Sequence, residues 1–247
     1  MRDPSHPDSD PDPRRGEPAR RALIEAGIEL FGRRGLEGTT TRAIAHASGQ
    51  NIAAIAYYFG SKDGLYLAVA QHLLVTIFGR LLPLIEHTEA LLADARATAP
   101  ALLQALRELC GGLLLMLTRE ETRTISRIIS REQTDPTAAF ELFYERAIVR
   151  AHRCLAGLLD RYAGADPGAI DSVLRAHILL GSILGFRLAS TTVLRRTGWQ
   201  QYGPREVAHI ERLVCEHAEV YARALRAKAR KAKPAHKSPA NRKTRSR

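Results

Sequence analysis

The sequence is poor in aromatic residues and in cysteine: 6% of its 247 residues are aromatic and three are cysteine. Cys110, Cys154 and Cys215 lie far apart in helical patterns, without the C-x-x-C spacing of metal or redox sites. We therefore expect reduced core thiols in a cytoplasmic protein. A redox sensor remains an alternative for Cys154, because the basic Arg153 precedes it.

Long apolar runs are also missing. No segment reaches the roughly 18 uncharged apolar residues that a membrane helix needs, and the longest candidate, 176–189, is interrupted by Arg187. The N-terminal stretch MRDPSHPDSDPDPRRGEP has no apolar core, so it is not a signal peptide. β-Branched residues never alternate in a sustained way, which leaves an all-α fold with no membrane partner.

The common catalytic signatures are absent. The sequence contains no H-E-x-x-H, no G-x-S-x-G, no G-x-x-x-x-G-K-[ST] and no paired E-x-x-H set. His72, His152 and His177 have no companions at metal-ligand spacing. We expect neither an enzyme nor a bound cofactor or metal.

Positive charge is concentrated at the C-terminus. Residues 226–247 contain ten Lys or Arg and no Asp or Glu, so about one unit of the net charge of +11 remains for the other residues. This segment has no apolar periodicity and is expected to be a solvated tail. It can serve as a nonspecific DNA tether or only as a solubilising extension.

Residues 40–59 have the pattern of a helix-turn-helix. Thr40 can cap a short helix, and Gly49 stands where the chain must reverse, a position that favours a residue tolerating positive φ. A helix of about two turns is not stable alone, so it must pack against neighbours. After the Gln50-Asn51 turn, a second helix of small and aliphatic residues can approach a DNA groove closely.

Aromatic and basic residues end this motif. Tyr57 and Tyr58 carry hydroxyl groups that can reach phosphate, whereas Phe59 is better placed in the core. Ser61 can cap a third helix, and Lys62 in its first turn adds a cation to amides that already favour an anion. The combination predicts a phosphate clamp.

The preceding helix completes the domain and carries a family resemblance. Apolar residues recur at helical spacing over 19–34, and Gly35 is the expected stop. With the stretches FGRRG, GTTTRAIA and SGQNIAAIAYYFGSKDGLY, residues 17–77 resemble the DNA-binding domain of TetR-family transcriptional regulators. The stretches ISREQTDPTAAF and LRRTGW resemble the CecR branch of that family.

The resemblance implies an all-helical homodimer whose N-terminal domains repress transcription and whose C-terminal domains pair and sense a ligand. The family's base-contacting positions are occupied here by Gln50, Asn51, Ala53, Ala54 and Tyr57. The positions that usually hold the phosphate backbone are occupied by Thr40, Thr41, Arg42, Tyr58 and Lys62. Amides such as those of Gln50 and Asn51 can pair bidentately with adenine, so we expect an adenine in the half-site.

Four regions are expected along the chain. They are a disordered arm (1–16), a helix-turn-helix domain (17–77), a helical ligand-binding and dimerisation domain (78–226) and a basic disordered tail (227–247). Beyond the helix-turn-helix, helix start and stop signals predict one helix over 61–86, with a bend or end at Pro83, and others over 101–118 and 121–132. A further helix is predicted over 135–162, with Pro136 at its first position. Asp166-Pro167 and Gly203-Pro204 should open the last two helices.

The last two helices are candidates for the dimer interface. Apolar or small residues recur as Ile170, Val173, Leu174, Gly181, Leu184, Gly185 and Leu188, and then as Val207, Ile210, Val214, Ala218 and Tyr221. The alternative is that both stripes are buried within the monomer. A dimer would present two reading helices about one turn of DNA apart, or a multiple, and predicts a palindromic operator.

Two arginines on one predicted helix are the candidates for an effector site. Arg127 and Arg131 are four residues apart and can present cations to an anionic or polar effector, or they can pair with neighbouring acids or face solvent. Taken together, the sequence predicts a ligand-responsive repressor, with transporter or drug-sensitivity genes as targets by analogy. The alternative is an architectural nucleic-acid-binding protein that uses the basic tail.

Overall fold

The computed structural model describes residues 13–165 and 168–232, and over these residues the chain is helical with no strand. The helices are α1 (Pro13–Arg34), α2 (Thr41–Ser48), α3 (Ile52–Phe59), α4 (Lys62–Thr76), α5 (Leu82–Ala93), α6 (Ala99–Thr118), α7 (Arg123–Thr134), α8 (Ala138–Phe143), α9 (Val149–Ala163), α10 (Ile170–Leu188), α11 (Ser190–Thr197) and α12 (Pro204–Ala232). Short 3-10 turns precede α5 and α7, and a π-helical turn, Tyr144–Ile148, joins α8 to α9. The all-α prediction is confirmed.

Helix ends fall where short-range capping chemistry places them. The Thr40 hydroxyl accepts a hydrogen bond from the Ala43 amide at 3.2 Å and begins α2. Gly49 ends α2 in the left-handed conformation, with φ of 67°. Ser61 caps α4 by accepting from the Gly64 amide at 3.0 Å. These devices involve neighbours within a few residues, so the sequence predicts them directly.

The first and last described helices, α1 and α12, extend further than predicted. Helix α1 begins at Pro13, so residues 13–16 belong to it rather than to the expected arm; residues 1–12 lie outside the described part. At Gly16 the helix lies against the Tyr58 side chain, because a Cβ there would be 2.9 Å from the Tyr58 hydroxyl oxygen. Packing against Tyr58 stabilises this additional turn of α1.

Helix α12 likewise continues to Ala232, so 227–232 are not part of a disordered tail. The Arg226 guanidinium lies over the Tyr162 ring, 4.9 Å from its centroid, and fixes the start of this extension against α9. The remaining expected tail, 233–247, lies outside the described residues.

Two internal boundaries also differ from the prediction. Helix α8 begins after Thr137, whose hydroxyl accepts from the Ala139 amide, so Pro136 precedes the cap rather than opening the helix. The expected opening at Asp166-Pro167 lies outside the described residues; α10 itself begins at Ile170. Pro204 is the first residue of α12, as predicted.

Two hydrophobic cores hold the helices together. The C-terminal core is built from α5, α6, α9, α10 and α12. The N-terminal core combines residues of α1 to α4 with Ile125 and Ile128 of α7 and Ala139 and Phe143 of α8. The expected domain boundary at residue 77 is therefore not a boundary between cores, because α7 and α8 pack with the N-terminal helices.

Helix α6 is long and apolar enough to cross a membrane by length and composition alone, with a window of mean hydropathy 1.4, and two bent helix pairs would also pass if each were one span. The sequence pattern instead indicated 176–189, which Arg187 interrupts, as the longest apolar candidate. Half of the α6 window is buried inside the structure. Its hydrophobicity follows from its place in the C-terminal core, where it packs against α5, α9, α10 and α12.

The candidate interface stripes have different surroundings. On α10, Ile170, Val173, Leu174 and Leu188 are exposed, and so is Ile178, which the sequence analysis did not select. On α12 the prediction is wrong for Ile210, Val214 and Ala218, which are buried in the C-terminal core. The exposed apolar residues of α12 are instead Leu213 and Val220. Both faces of α12 carry apolar residues, so hydrophobic periodicity alone does not identify the face that is buried in the C-terminal core.

The three cysteines lead to a first prediction. All are buried, and burial raises the pKa of Cys110 to about 12 and that of Cys154 to about 11. Because the thiolate is the reactive form, Cys110 and Cys154 of the native chain should react with a thiol reagent at pH 8 about a hundredfold or more slowly than in the unfolded chain. Modification followed by mass spectrometry measures this rate. A native cysteine that reacts as fast as a free thiol would instead support the redox-sensor alternative.

Candidate nucleic-acid interface

Helix α3 has one buried face and one open face. Ile55 is 2% exposed and anchors the helix in the N-terminal core. The outer face carries Ile52, Ala53, Ala56 and Tyr57, all exposed. Since two of these four are alanines, the helix surface offers little obstruction to a groove floor, and Tyr57 projects from it with 73% of its surface exposed.

The three aromatic residues at the end of α3 separate into two roles. Tyr57 is free to meet a partner, and its ring makes an edge contact with Tyr58 at 4.8 Å. Tyr58 is half-buried and packs against α1 at Gly16, and its predicted phosphate contact stays a prediction. Phe59 is half-buried beneath the Arg20 guanidinium, which agrees with a core position.

The two amides before α3 are not equivalent. Asn51 caps the helix, because its Oδ1 accepts from the Ala53 amide at 2.9 Å. The amide oxygen has two lone pairs, so Oδ1 can accept a second hydrogen bond while Nδ2 donates, and the adenine pairing stays a prediction for Asn51. Gln50 lies half-buried in the turn, with Nε2 3.5 Å from the Ser48 carbonyl.

The threonine run before α2 divides its functions residue by residue. Thr39, which the sequence analysis did not select, is 1% exposed and donates to the carbonyls of Gly35 and Leu30. Thr40 is the exposed cap of α2. Thr41 is half-buried and Arg42 is exposed in the first turn of α2. Ala54 is half-buried against the core.

The Lys62 ammonium group has a hydrogen-bond partner within the protein. Its Nζ donates to the Leu36 carbonyl at 2.9 Å, and the side chain is half-buried. The ammonium group holds the loop between α1 and α2 against the start of α4. The phosphate contact stays a prediction. The sequence gives no sign of this partner, which lies 26 residues away.

The two arginines proposed for an effector are also separated. Arg127 is exposed on α7. Arg131 donates to the carbonyls of Phe31, Gly32 and Arg33 in the last turn of α1, at 2.7, 3.0 and 3.0 Å. In this structure the Arg131 guanidinium satisfies carbonyls that a helix end leaves unpaired, and the ligand role stays a prediction.

The neighbouring Glu132 is a buried polar anchor that the sequence analysis missed. The side chain is 2% exposed and accepts a hydrogen bond from the Tyr66 hydroxyl of α4 at 2.7 Å. The Thr137 amide and hydroxyl donate to the same carboxyl group. Burial and the bond to Glu132 raise the pKa of Tyr66 well above its usual value, which keeps the hydroxyl a donor.

We call helices α1 to α4 the reading unit. The contacts of Arg131 and Glu132 anchor this unit to α7. Arg131 holds the end of α1 and Glu132 holds α4, the two helices that flank α2 and α3. Helix α1 also approaches α7 closely at Gly32, where a Cβ would collide with the Thr124 side chain. Within residues 13–165 and 168–232, no three His, Cys, Asp or Glu side chains converge as they would around a metal ion.

A capped two-turn helix, a left-handed glycine turn and an exposed second helix on a helical body define a helix-turn-helix DNA-binding regulator. Residues 23–69 match the family model of bacterial regulatory proteins of the tetR family, and residues 102–225 match that of the C-terminal domain of the HTH-type transcriptional dual regulator CecR. The chain therefore belongs to the TetR family, in its CecR-like branch.

Individual proteins support this assignment. The chain is 38% identical over 211 residues to the dual regulator CecR from Shigella flexneri, covering 85% of this chain and 94% of that protein. The regulator BetI from Brucella anthropi is 47% identical over 55 residues, or 22% of this chain and 28% of BetI. In fold, the chain resembles AibR crystallised with isovaleryl coenzyme A and operator DNA, with a TM-score of 0.58, 17% identity and coverage of 81% and 97%.

The Glu132 anchor generates a stability prediction. Tyr66→Phe removes the hydroxyl donor from a buried carboxyl group, and we expect a loss of about 1–3 kcal/mol in the free energy of unfolding. Chemical denaturation measures it. Tyr144→Phe, at a residue 38% exposed, is the matched control and should have little effect. Equal stability of the two variants would contradict the anchoring role.

Proposed function

We propose that this regulator is a homodimeric repressor that binds a palindromic operator and is released by a small-molecule effector. The observation that carries the proposal is the open face of α3, with Ala53, Ala56 and Tyr57 exposed above a buried Ile55. Two-fold pairing would present two such faces to half-sites about one helical turn of DNA apart, or a multiple of it. Gln50, Asn51 and Tyr57 are the side chains that we propose to read bases, and Tyr57 is 73% exposed.

The exposed stripe on α10 supports the dimer. Ile170, Leu174 and Ile178 recur along one helical face and are 78%, 53% and 61% exposed. A Cβ built on Gly181 or Gly185 meets nothing within 4 Å, so the same face leaves room for a second helix to approach closely. A contiguous apolar face of this kind marks an interaction surface, and a second copy of the chain is the partner that a two-fold reader requires.

The proposed regulation draws on the relatives. AibR is described as bound to isovaleryl coenzyme A and operator DNA, and CecR is described as a dual regulator. By analogy, this chain would respond to a small molecule and control transporter or drug-sensitivity genes. It would act in the cytoplasm and would not catalyse a reaction. Fusing the upstream DNA to a reporter in cells with and without the gene tests the direction of control.

An architectural DNA-binding role is the second candidate. It is favoured by the ten Lys or Arg residues in 226–247. Salt separates the two candidates, because nonspecific phosphate binding weakens steeply as salt rises. We expect selection of genomic fragments, followed by footprinting, to give a protected palindrome that survives salt able to strip nonspecific complexes. Uniform, salt-labile protection would overturn the repressor proposal.

Tyr57 provides a test of base reading. Tyr57→Ala should weaken operator binding by about 1–3 kcal/mol, because a single specific contact contributes that much. Fluorescence anisotropy with operator DNA measures the loss, and Tyr57→Phe separates the ring from the hydroxyl. Sedimentation should show an unchanged dimer. A variant that loses its dimer, or one that binds as well as the parent, would contradict the assignment.

The interface proposal has its own test. Ile178→Glu places two carboxylates in the proposed two-fold contact and should weaken dimerisation by at least about 2 kcal/mol, since buried unpaired charge is costly. Sedimentation equilibrium measures this change. Val75→Glu is the matched control, because Val75 is an exposed apolar residue on α4, 76% exposed. A dimer that persists unchanged in Ile178→Glu would exclude α10 from the interface.

A further inference from the structure

A cavity of about 160 Å³ lies where α4, α5 and α6 meet the turn before α7. Ile77, Leu81 and Met116 contribute to its apolar wall, and Leu115 on its rim is 44% exposed. Its volume is comparable with that of a protein cavity able to accept a benzene ring. An apolar group of that size therefore has room inside.

The polar part of the lining is cationic. Arg80 and Arg119 both line the cavity, and both bind the same carboxylate oxygen of Glu121, at 2.6 and 3.0 Å. The two bonds hold the pKa of Glu121 below its ordinary value, with the Arg80 contact the larger cause. Two guanidinium groups sharing one carboxylate leave an excess positive charge at the opening.

A third guanidinium group stands behind the first two. Arg187 of α10 donates from Nη2 to the Arg119 carbonyl at 2.7 Å and to the hydroxyl of Thr122, another lining residue, at 2.8 Å. Its Nε is buried and has no hydrogen-bond partner among the residues that the structure describes. Burial lowers the pKa of Arg187, while the nearby Glu120 carboxylate opposes that shift.

The cavity lies at the end of α4 and at the start of α7. Ile77 directly follows α4, and Thr122 directly precedes α7. At its other end, α7 binds α1 through Arg131 and α4 through Glu132. An occupant that displaces Thr122 or Ile77 therefore changes the position of the reading unit through contacts already present.

We propose that this cavity is the effector site and that it takes a small amphiphilic carboxylate. The apolar body occupies the space beside Ile77 and Met116, and the carboxylate replaces Glu121 on Arg80 and Arg119. This assignment rests on the proposed function, in that the bound carboxylate is the signal that releases operator DNA. It replaces the earlier expectation for Arg127 and Arg131.

Calorimetric titration of the full chain with benzoate and with hexanoate tests the site. We expect saturable binding of at least one of them at millimolar concentration, and much weaker binding of benzyl alcohol, which has the ring without the charge. Arg119→Gln and Arg80→Gln should each weaken binding about tenfold or more, the effect of a lost charge-assisted hydrogen bond. Arg150→Gln is the matched control, since Arg150 pairs with Glu89 beyond the cavity.

A steric variant keeps the test independent of charge. Leu115→Trp, at the exposed rim, should block the cavity and abolish binding while circular dichroism and the melting temperature stay those of the parent chain. Ala90→Trp, at an exposed position of α5 outside the lining, should bind as the parent does. Benzyl alcohol binding as tightly as benzoate, unchanged binding in the arginine variants, or no binding of either carboxylate would overturn the proposal.

Calorimetry needs no DNA, so it tests the effector cavity separately from the proposed repressor function. Operator protection that is intact, but with no carboxylate bound, would overturn the cavity assignment alone. Carboxylate bound, but with no specific operator protected, would overturn the proposed repressor. Joint success predicts that the bound carboxylate weakens operator protection in the parent chain and leaves it unchanged in Arg119→Gln at the same concentration.

Discussion

The buried carboxyl group of Glu132 collects hydrogen bonds from Tyr66 of α4 and from Thr137, while the adjacent Arg131 binds three carbonyls at the end of α1. Two successive residues of α7 thus hold the two long helices that support α2 and α3. The short helices have few residues with which to stabilise themselves, so their orientation depends on this support. Because α7 begins beside the C-terminal core, the same helix connects that core to the reading face.

Arginine side chains repeat one physical device across the fold. Arg131 binds carbonyls at the end of α1, Arg161 binds carbonyls at the end of α5, and Arg187 binds the carbonyl of Arg119 after α6. The last carbonyls of a helix lack partners within it and carry partial negative charge, so a guanidinium group from another helix satisfies both needs. These bonds fix the angles between helices without requiring buried carboxylates. They also explain why arginines in apolar helices are poor evidence for a ligand by themselves.

The reading unit was largely predictable because its determinants are short-range. Thr40, Gly49 and Ser61 cap or end helices through neighbours within a few residues, and the stretch that they punctuate carries the family resemblance. Lys62, Tyr58 and Asn51 were interpreted from the same motif as DNA contacts, and the structure gives each a partner within the protein. Residue type indicates which bonds a side chain can form, and only its neighbours in space show which bond it does form.

The sequence alone determined the all-α class, most helix ends and the position of the helix-turn-helix, since hydrophobic periodicity and capping are properties of adjacent residues. Tertiary structure decided which face of α12 is buried, that α7 belongs to the N-terminal core, and that Glu132 ties α7 to α4 within that core. Tyr66 and Glu132 are 66 residues apart. Packing brings them together, and no local pattern in either segment specifies the other.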